Sequence, residues 1–241
     1  MTATAPRLFI SHSNRDQLAA EKLIALLQRA LGLPDSDIRC TSVPRYRLPG
    51  GARTSDQLRD EVNSCDVLIG LISPSGMAST YVLFEFGARW GAKRSFIPVL
   101  VPGSDTAILK GPLQEIHALN CALAEDLERL VSQVSEQLGV PLPAAGTYLA
   151  EQQDVLDLRK GPPLSGKQQQ TLRFFAGAPR KFFYSAALAQ ALDTDLRDAT
   201  DQALYLHSVG LLDRKWEKFG ATHRINEFGA DIAYAYGFER D

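Results

Sequence analysis

The sequence predicts an α/β protein: a five-stranded parallel sheet flanked by helices, followed by a smaller α+β domain. Short apolar segments alternate with segments of helical spacing over residues 1–139, which is typical of strand–helix–strand units. A segment over residues 140–164, with prolines and one weak helical stretch, interrupts this alternation, and residues 165–241 follow a different pattern. We therefore expect two domains, 1–139 and 165–241, joined by a linker over 140–164.

Apolar runs predict the strands of the first domain. LFIS (8–11) ends in the turn-forming segment SHSNRD, and VLIGLI (67–72) has no polar alternation, which indicates a strand covered on both faces. FIPVLV (96–101) is a third strand, and short runs near 38–41 and 117–120 complete the set.

Amphipathic segments predict the helices between these strands. Apolar residues recur at helical spacing around 23–31, after Ser55, over 81–92 and from about 124. Parallel strands joined by such helices place ligand sites at the carboxyl ends of the strands. Function is therefore expected in the loops that follow the strands.

The second domain has the pattern of a winged helix. QQTLRFFA, YSAALAQAL and LRDATDQALYLHSVGLL predict three short helices, and WEKFGATHRINEFGADIAYAYG predicts two strands around a glycine turn. Its aromatic segments FFAGAPRKFFY and IAYAYGF exceed what a small core needs, which favours a protein partner or dimerisation.

Charge argues against nucleic acid as the partner. Residues 165–241 hold ten basic and ten acidic residues, so the domain is neutral. The expected recognition helix carries four aspartates that phosphates would repel: Asp193, Asp195, Asp198 and Asp201. A basic cluster on the expected hairpin can contact a nucleic-acid backbone or form a solvated surface; it comprises Arg214, Lys215, Lys218 and Arg224, beside Trp216 and Phe219.

Composition excludes further classes. Lys and Arg number 26 against 28 Asp and Glu, a net charge of −2 that provides no field to gather nucleic acid or anionic lipid. No apolar run approaches the roughly 18 residues of a membrane span, and the N-terminus lacks the pattern of a signal peptide. The three cysteines have no CxxC spacing, which argues against disulfides and a zinc site, so we expect no metal and a cytoplasmic location.

The first domain resembles Toll/interleukin-1 receptor (TIR) domains of the bacterial kind. The resemblance covers about Leu8 to Gly139 and rests on the order LFISHS, TSVPRYRLPGG, VLIGLISPS and STYVLFEFGARW. Its most specific part is the spacing of Ser79, Tyr81 and Glu85, although Tyr81 replaces a tryptophan often found there and Val82 stands where many members have cysteine. The resemblance implies a flavodoxin-like fold.

In catalytic members the corresponding glutamate serves the hydrolysis of NAD+ at the nicotinamide–ribose bond, so the resemblance implies this role for Glu85. The chemistry needs one carboxylate, because nicotinamide is cationic in NAD+ and leaves as a neutral base without a general acid. With an ordinary pKa of about 4.3, Glu85 is expected to be ionised at neutral pH without special tuning. The alternative role for Glu85 is an exposed i,i+4 ion pair with Arg89.

Other candidate substrate contacts surround this glutamate. Tyr81, one turn before Glu85, either stacks on a base or nicotinamide ring or is a half-buried core residue. The resemblance implies that Ser11 and His12 line the NAD+ cleft, with Ser79 beside them. Ser13 and Asp16 match a helix cap.

A Ser/His hydrolase is not favoured because no nucleophile elbow is present. Gly87 and Gly91 form a GxxxG pair, which indicates close packing of their helix on the sheet.

The loop from Pro44 to Thr54 carries arginines beside two glycines. Arg45, Arg47 and Arg53 can bind phosphate or form a solvated loop, and Arg45 is a candidate NAD+ contact. The resemblance to the family's BB loop implies a contact with a neighbouring TIR domain, which we favour. The residues assigned to this assembly loop are Arg47, Leu48, Pro49, Gly50 and Gly51.

These observations predict an NAD+ hydrolase that releases nicotinamide and linear or cyclic ADP-ribose. NAD+ is then a substrate and no cofactor is expected. The resemblance implies activation by self-assembly as a homo-oligomer and a role in antiphage defence. Two alternatives are a non-catalytic TIR interaction module and an enzyme similar to nucleoside deoxyribosyltransferases, which acts on free nucleosides.

Overall fold

The computed structural model of the chain describes residues 6–40, 43, 54–142, 144, 146–161, 164–218, 220–226, 229–230 and 232–233. Two units divide the chain, Met1–Leu158 and Arg159–Asp241.

A parallel sheet forms the centre of the first unit. Its five described strands are ordered β2-β1-β3-β4-β5, and each neighbouring pair is parallel. This order is that of flavodoxin-like folds, which confirms the predicted fold class. The strands are β1 (Leu8–Ser11), β2 (Ile38–Arg39), β3 (Val67–Ile72), β4 (Phe96–Leu100) and β5 (Leu119–Asn120).

Helices cover both faces of this sheet. Those of the first unit are α1 (Gln17–Leu31), α2 (Thr54–Ser64), α3 (Pro74–Met77), α4 (Thr80–Gly91), α5 (Ala124–Leu138) and α6 (Leu149–Leu156). Glycines with positive φ end α1 at Gly32 and α5 at Gly139, where L side chains are strained.

The alternation of side chains along β1 decides which helices each residue meets. Leu8 and Ile10 are buried in a core formed with α1 and α5, whereas Phe9 is buried in a second core with α2 and α4. Because side chains alternate with a period of two, Ser11 points to the α4 side, at the carboxyl end of the strand.

Residues 149–156, expected to belong to a linker, form helix α6 against the first unit. Val155 is fully buried in the core that includes α1, and Lys22 of α1 forms an ion pair of 2.6 Å with Asp154. The first unit accordingly extends to Leu158, past the expected boundary at 139. This short helix has a narrow apolar stripe, and prolines flank it on both sides. The sequence pattern therefore predicted a linker.

The second unit combines three helices with a small antiparallel sheet. In chain order it contains α7 (Gly166–Ala176), β6 (Phe183–Tyr184), α8 (Ser185–Ala191), α9 (Leu196–Ser208), β7 (Leu212–Glu217) and β8 (Gly220–Ile225). The described strands are ordered β6-β8-β7. Leu172, Phe175, Leu188 and Leu206 are buried in its core.

The hairpin of this unit differs from its predicted position. Strand β7 begins at Leu212 instead of Trp216, and residues 229–230 and 232–233, expected in a strand, are helical. Asn226 explains the change, because its side-chain oxygen accepts a hydrogen bond of 2.8 Å from the Gly229 amide, and its carbonyl accepts one of 2.9 Å from Ala230.

Gly70 of β3 lets α4 lie close to the sheet. A Cβ at this position would lie 2.5 Å from Cε1 of Phe86 and 2.6 Å from Cε2 of Phe96. Gly70 is also the neighbour of Ser11 in the β1–β3 register. The missing side chain therefore allows Phe86, and with it α4, to approach the strand that ends at Ser11.

Gly70→Ala is expected to destabilise the first unit by about 1–3 kcal/mol, because both rings must move to admit a methyl group. The measurement is urea unfolding followed by circular dichroism. Gly87→Ala is the matched control, since Gly87 has no neighbour within 4 Å of an added Cβ and lies in a helix, where alanine is favoured. Equal stability of the two variants would contradict the packing argument.

Candidate active site

A carboxylate and a hydroxyl meet at the carboxyl edge of the sheet. The Ser11 Oγ donates a hydrogen bond to Oε2 of Glu85. Ser11 is buried at the end of β1, and Glu85 is half-buried on the first turns of α4. The sequence predicted both residues as part of the site, and the fold brings them into direct contact over a separation of 74 residues.

The start of α4 is held by a side-chain cap. Ser79 accepts a hydrogen bond of 3.4 Å from the Val82 amide, which satisfies one of the free N–H groups of the first turn. Ser79 therefore positions the helix that carries Glu85, a role that differs from its expected contact with substrate.

Arg89 is not the ion-pair partner of Glu85. Its side chain is fully buried, and the guanidinium donates five hydrogen bonds to backbone carbonyls. The acceptors are the carbonyls of Val62 at the end of α2, of Cys65 and Asp66 in the turn before β3, and of Ser95 just before β4. The alternative structural role for Glu85 is therefore wrong.

Burial changes the acidity of Glu85. Removal from water raises the pKa of this carboxyl above its ordinary value, and the hydrogen bond from Ser11 opposes that rise. The sequence predicted an unperturbed glutamate, so this expectation is corrected. Half-buried carboxylates with such shifts are concentrated at functional sites.

His12 is directed into the protein next to Ser11. Only 8% of its surface is exposed, its Nδ1 lies 3.2 Å from the carbonyl of Ile10, and Sγ of Cys40 lies 3.8 Å from the same nitrogen. Burial lowers the pKa of His12 and favours the neutral imidazole. His12 is thus placed beside the site with little surface for a substrate.

Tyr81 is exposed, with 83% of its surface accessible. The alternative of a half-buried core residue is therefore wrong, and the ring is free to contact a ligand. Phe84 and Trp90 of the same helix are also exposed.

Gly87 and Gly91 have no atoms within 4 Å of an added Cβ, so the expectation that this GxxxG pair packs on the sheet is wrong.

A second carboxyl group lies at this edge of the sheet, and the sequence did not predict its contacts. Oδ2 of Asp16 accepts a hydrogen bond of 2.7 Å from Ser73, the residue after β3. The expected cap is confirmed at Ser13, whose side chain accepts a hydrogen bond from the Arg15 amide at the start of the short turn 14–16, whereas the contact of Asp16 with Ser73 was not predicted. Burial raises the pKa of Asp16 to about 6. In the sequence, an acid soon after β1 and a serine directly after β3 are the signal that could have predicted this contact.

The predicted loop residues lie outside the described part of the chain. These are the NAD+ candidate Arg45, together with Arg47, Leu48, Pro49, Gly50, Gly51 and Arg53. Their roles stay predictions.

Some charges of the second unit are paired within it. Asp195 caps α9 through the Asp198 amide at 2.8 Å, and Lys167 contacts Asp198 at 2.9 Å. On the hairpin, Arg224 contacts Asp213 at 3.1 Å. Phe174, Phe175 and Phe183 pack edge to face, so these aromatic residues contribute to the core.

Within the described ranges, no three His, Cys, Asp or Glu side chains are placed to hold a metal ion. The same part of the chain contains no helix with the length and hydropathy of a membrane span. Cys40, Cys65 and Cys121 are buried and form no disulfide bond.

The fold and this edge define a flavodoxin-like α/β protein with a partly buried carboxylate at the carboxyl ends of its strands. A family model described as "TIR domain" matches residues 8–131, just over half of the chain, and the chain belongs to this family.

The chain is also similar to an uncharacterized protein of Bacillus subtilis (strain 168), YddK. The two are 28% identical over 97 residues, which is 40% of this chain and 36% of that protein. The match thus covers little more than a third of the relative's length.

Proposed function

We propose that the first unit hydrolyses NAD+ at the nicotinamide–ribose bond, with Glu85 as its catalytic carboxylate. One observation carries the proposal: the Glu85 side chain lies partly buried at the carboxyl edge of the sheet and accepts a hydrogen bond from Ser11. It forms no ion pair with Arg89, whose guanidinium donates to backbone carbonyls instead. TIR domains include NAD-cleaving members, which supports the assignment.

The reaction breaks the bond between C1′ of the ribose and the nicotinamide nitrogen. Its electron pair leaves with nicotinamide, which becomes neutral, while positive charge develops at C1′ and the ring oxygen. A fixed carboxylate in a partly desolvated site stabilises that charge. Water then adds to C1′ and loses a proton, giving ADP-ribose, whereas attack by a group of the adenine gives a cyclic product.

Ser11 orients the carboxylate in this proposal. Its hydroxyl donates to one oxygen of Glu85, so the other oxygen is available to the ribose. Tyr81 is exposed one turn earlier on α4 and is available to stack on a ring of the substrate.

Assembly is the second half of the proposal, because TIR domains suggest self-association or protein interaction. We expect homo-oligomers to be the active form, with activity per protomer rising with protein concentration. The loop 44–54 remains the expected contact, and the partner of the second unit stays a prediction. A location in the cytoplasm and a role in defence against phage belong to this proposal as well.

The test is release of nicotinamide from NAD+ by the full chain over a hundredfold range of protein concentration. Activity that rises more than linearly with concentration is expected. A parallel reaction with free nucleosides separates the alternatives, since a deoxyribosyltransferase-like enzyme cleaves these and leaves NAD+ intact. Absence of cleavage of either substrate in the assembled protein would favour a non-catalytic interaction module.

The acidity of Glu85 predicts how activity depends on pH. The reaction requires the ionised carboxylate, so activity is lost as pH falls through the pKa of Glu85, which burial raises. Ser11→Ala removes the hydrogen bond that stabilises the charged form and is expected to move this loss to higher pH. The rate at pH 7 falls about tenfold or more, because a hydrogen bond to a charged group contributes about 1.5–3 kcal/mol. Ser36→Ala, on the exposed turn before β2, is the control, and an unshifted profile for Ser11→Ala would contradict the argument.

A further inference from the structure

We propose that Asp16 is a positioning residue for Glu85: through its hydrogen bond from Ser73, it holds the capped turns that begin α4 and thereby aligns the Glu85 carboxylate with Ser11. This inference rests on the proposed hydrolysis for its functional consequence, although the structural coupling can be tested without it.

A continuous series of hydrogen bonds links Asp16 to α4. Ser73 Oγ donates to Asp16 at 2.7 Å and accepts from the Gly76 amide at 2.8 Å, which caps α3. The Gly76 carbonyl accepts from the Ser79 amide at 3.0 Å, and Ser79 Oγ in turn caps α4 at Val82. In this series, Ser73 and Ser79 each satisfy a backbone N–H that the start of a helix leaves free.

The short segment 11–16 thus supports the position of Glu85 in two ways. Ser11 at the end of β1 contacts the Glu85 carboxylate directly, and Asp16, five positions later, supports the start of its helix through Ser73. A displacement of the α3–α4 turn moves Glu85 relative to Ser11. The two contacts together therefore determine the position of the carboxylate.

The hydrogen bond from Ser73 is strongest when Asp16 is ionised. Ser73 has a single hydroxyl proton, and its oxygen already accepts from Gly76, so its proton is available to the Asp16 carboxylate. Protonation of Asp16 replaces a charge-assisted hydrogen bond by a weaker neutral one. The turn is then held less firmly.

The surroundings of Asp16 make this change occur near neutral pH. Burial raises the pKa of its carboxyl to about 6, opposed by hydrogen bonds from Ser73 and the Ser13 backbone and by the charge of Arg15. From the end of β5, the thiol of Cys121 also interacts with Asp16; burial raises the Cys121 pKa to about 12, so this thiol is neutral between pH 5 and 8. Below pH 6, Asp16 is mostly protonated, and the alignment of Glu85 weakens.

The first experiment uses the full chain without substrate. The amide chemical shifts of Gly76 and Val82 are followed by NMR from pH 5 to 8 in wild type and Asp16→Asn, whose amide oxygen still accepts from Ser73. In wild type, an inflection near pH 6 is expected at both amides. In Asp16→Asn it is expected to disappear at Gly76, and any pH dependence left at Val82 belongs to Glu85, one turn later on α4. An inflection near pH 6 that persists at Gly76 in Asp16→Asn, or a Val82 pH profile that the substitution leaves unchanged, would overturn the coupling.

The second experiment measures kcat and KM for NAD+ between pH 5 and 8. Asp16→Asn is expected to lose the decrease in kcat near pH 6 while keeping the decrease due to Glu85, with KM changed less than twofold. Ser73→Ala is expected to lower kcat about tenfold at all pH values. Asp105→Asn, at an exposed turn after β4, is the control. Unchanged kcat profiles in both site variants would reject the positioning role.

The two proposals fail in different ways. Absence of NAD+ cleavage in every variant, together with an Asp16-dependent inflection at Val82, rejects the proposed hydrolysis and retains the structural coupling. Cleavage whose profile is unaffected by Asp16→Asn retains the hydrolysis and rejects the positioning role.

Discussion

Glu85→Gln is expected to lower the rate of nicotinamide release by about two to three orders of magnitude. The amide has the size of the carboxylate, and its oxygen still accepts the hydrogen bond from Ser11, so the packing of α4 is kept. It carries no negative charge, however, and cannot offset the charge that develops on the ribose. Loss of one preorganised electrostatic contact typically costs a factor of about 10²–10³.

This result is measured at a protein concentration where the wild type is assembled, with circular dichroism and sedimentation to establish that the variant folds and self-associates. Glu128→Gln, an exposed glutamate on α5, is the matched control and is expected to retain full activity. Equal rates for Glu85→Gln and wild type would remove Glu85 from the mechanism. Loss of activity together with assembly would assign Glu85 to self-association instead.

Arg89→Met is expected to destabilise the first unit by about 3–5 kcal/mol. The variant removes the Arg89 donor from four carbonyls, of which those of Val62 and Cys65 are bonded in buried contacts, and each unpaired buried polar group costs about 1–3 kcal/mol. Arg89→Lys is also expected to lower stability, because one ammonium cannot reach carbonyls on three separate segments.

Unfolding of the first unit is measured in a Trp216→Phe background. Trp90 then provides the single tryptophan signal, since the chain has two tryptophans, one in each unit. Arg94→Met is the control: Arg94 is exposed and donates one hydrogen bond of 2.6 Å to the Asn63 carbonyl, so its loss is expected to cost under about 1 kcal/mol. If Arg89→Met and Arg94→Met lower the free energy of unfolding by similar amounts, burial of the Arg89 hydrogen bonds makes no extra contribution to stability.

Much of the first unit follows from local sequence patterns. VLIGLI predicts a strand covered on both faces because every residue is apolar, and all six residues of β3 are buried. The flavodoxin-like strand order came from the family resemblance and not from local spacing. The helical stretch that forms α6 was noted but assigned to a linker, because its contacts with α1 come from a distant part of the chain and local spacing does not record them.

The candidate site was likewise predicted only in part from the sequence. Spacing and family resemblance were sufficient to select Glu85, because one acid in a mostly apolar helix at a strand-end loop is a local feature. They could not decide between an ion pair and a functional carboxylate. Arg89 lies one turn from Glu85 in either case, and only the packing of α2, β3 and β4 around its guanidinium directs it away.

The sequence by itself determined that this protein is an α/β chain with a TIR domain, since apolar periodicity and short motifs are properties of neighbouring residues. Only the tertiary structure decided which polar groups meet: Ser11 with Glu85, and Asp16 with Ser73. The physical reason is that hydrogen-bond geometry and desolvation depend on distances across the sheet edge. For Ser11 and Glu85, that distance depends on how closely α4 packs over Gly70, which no local pattern encodes.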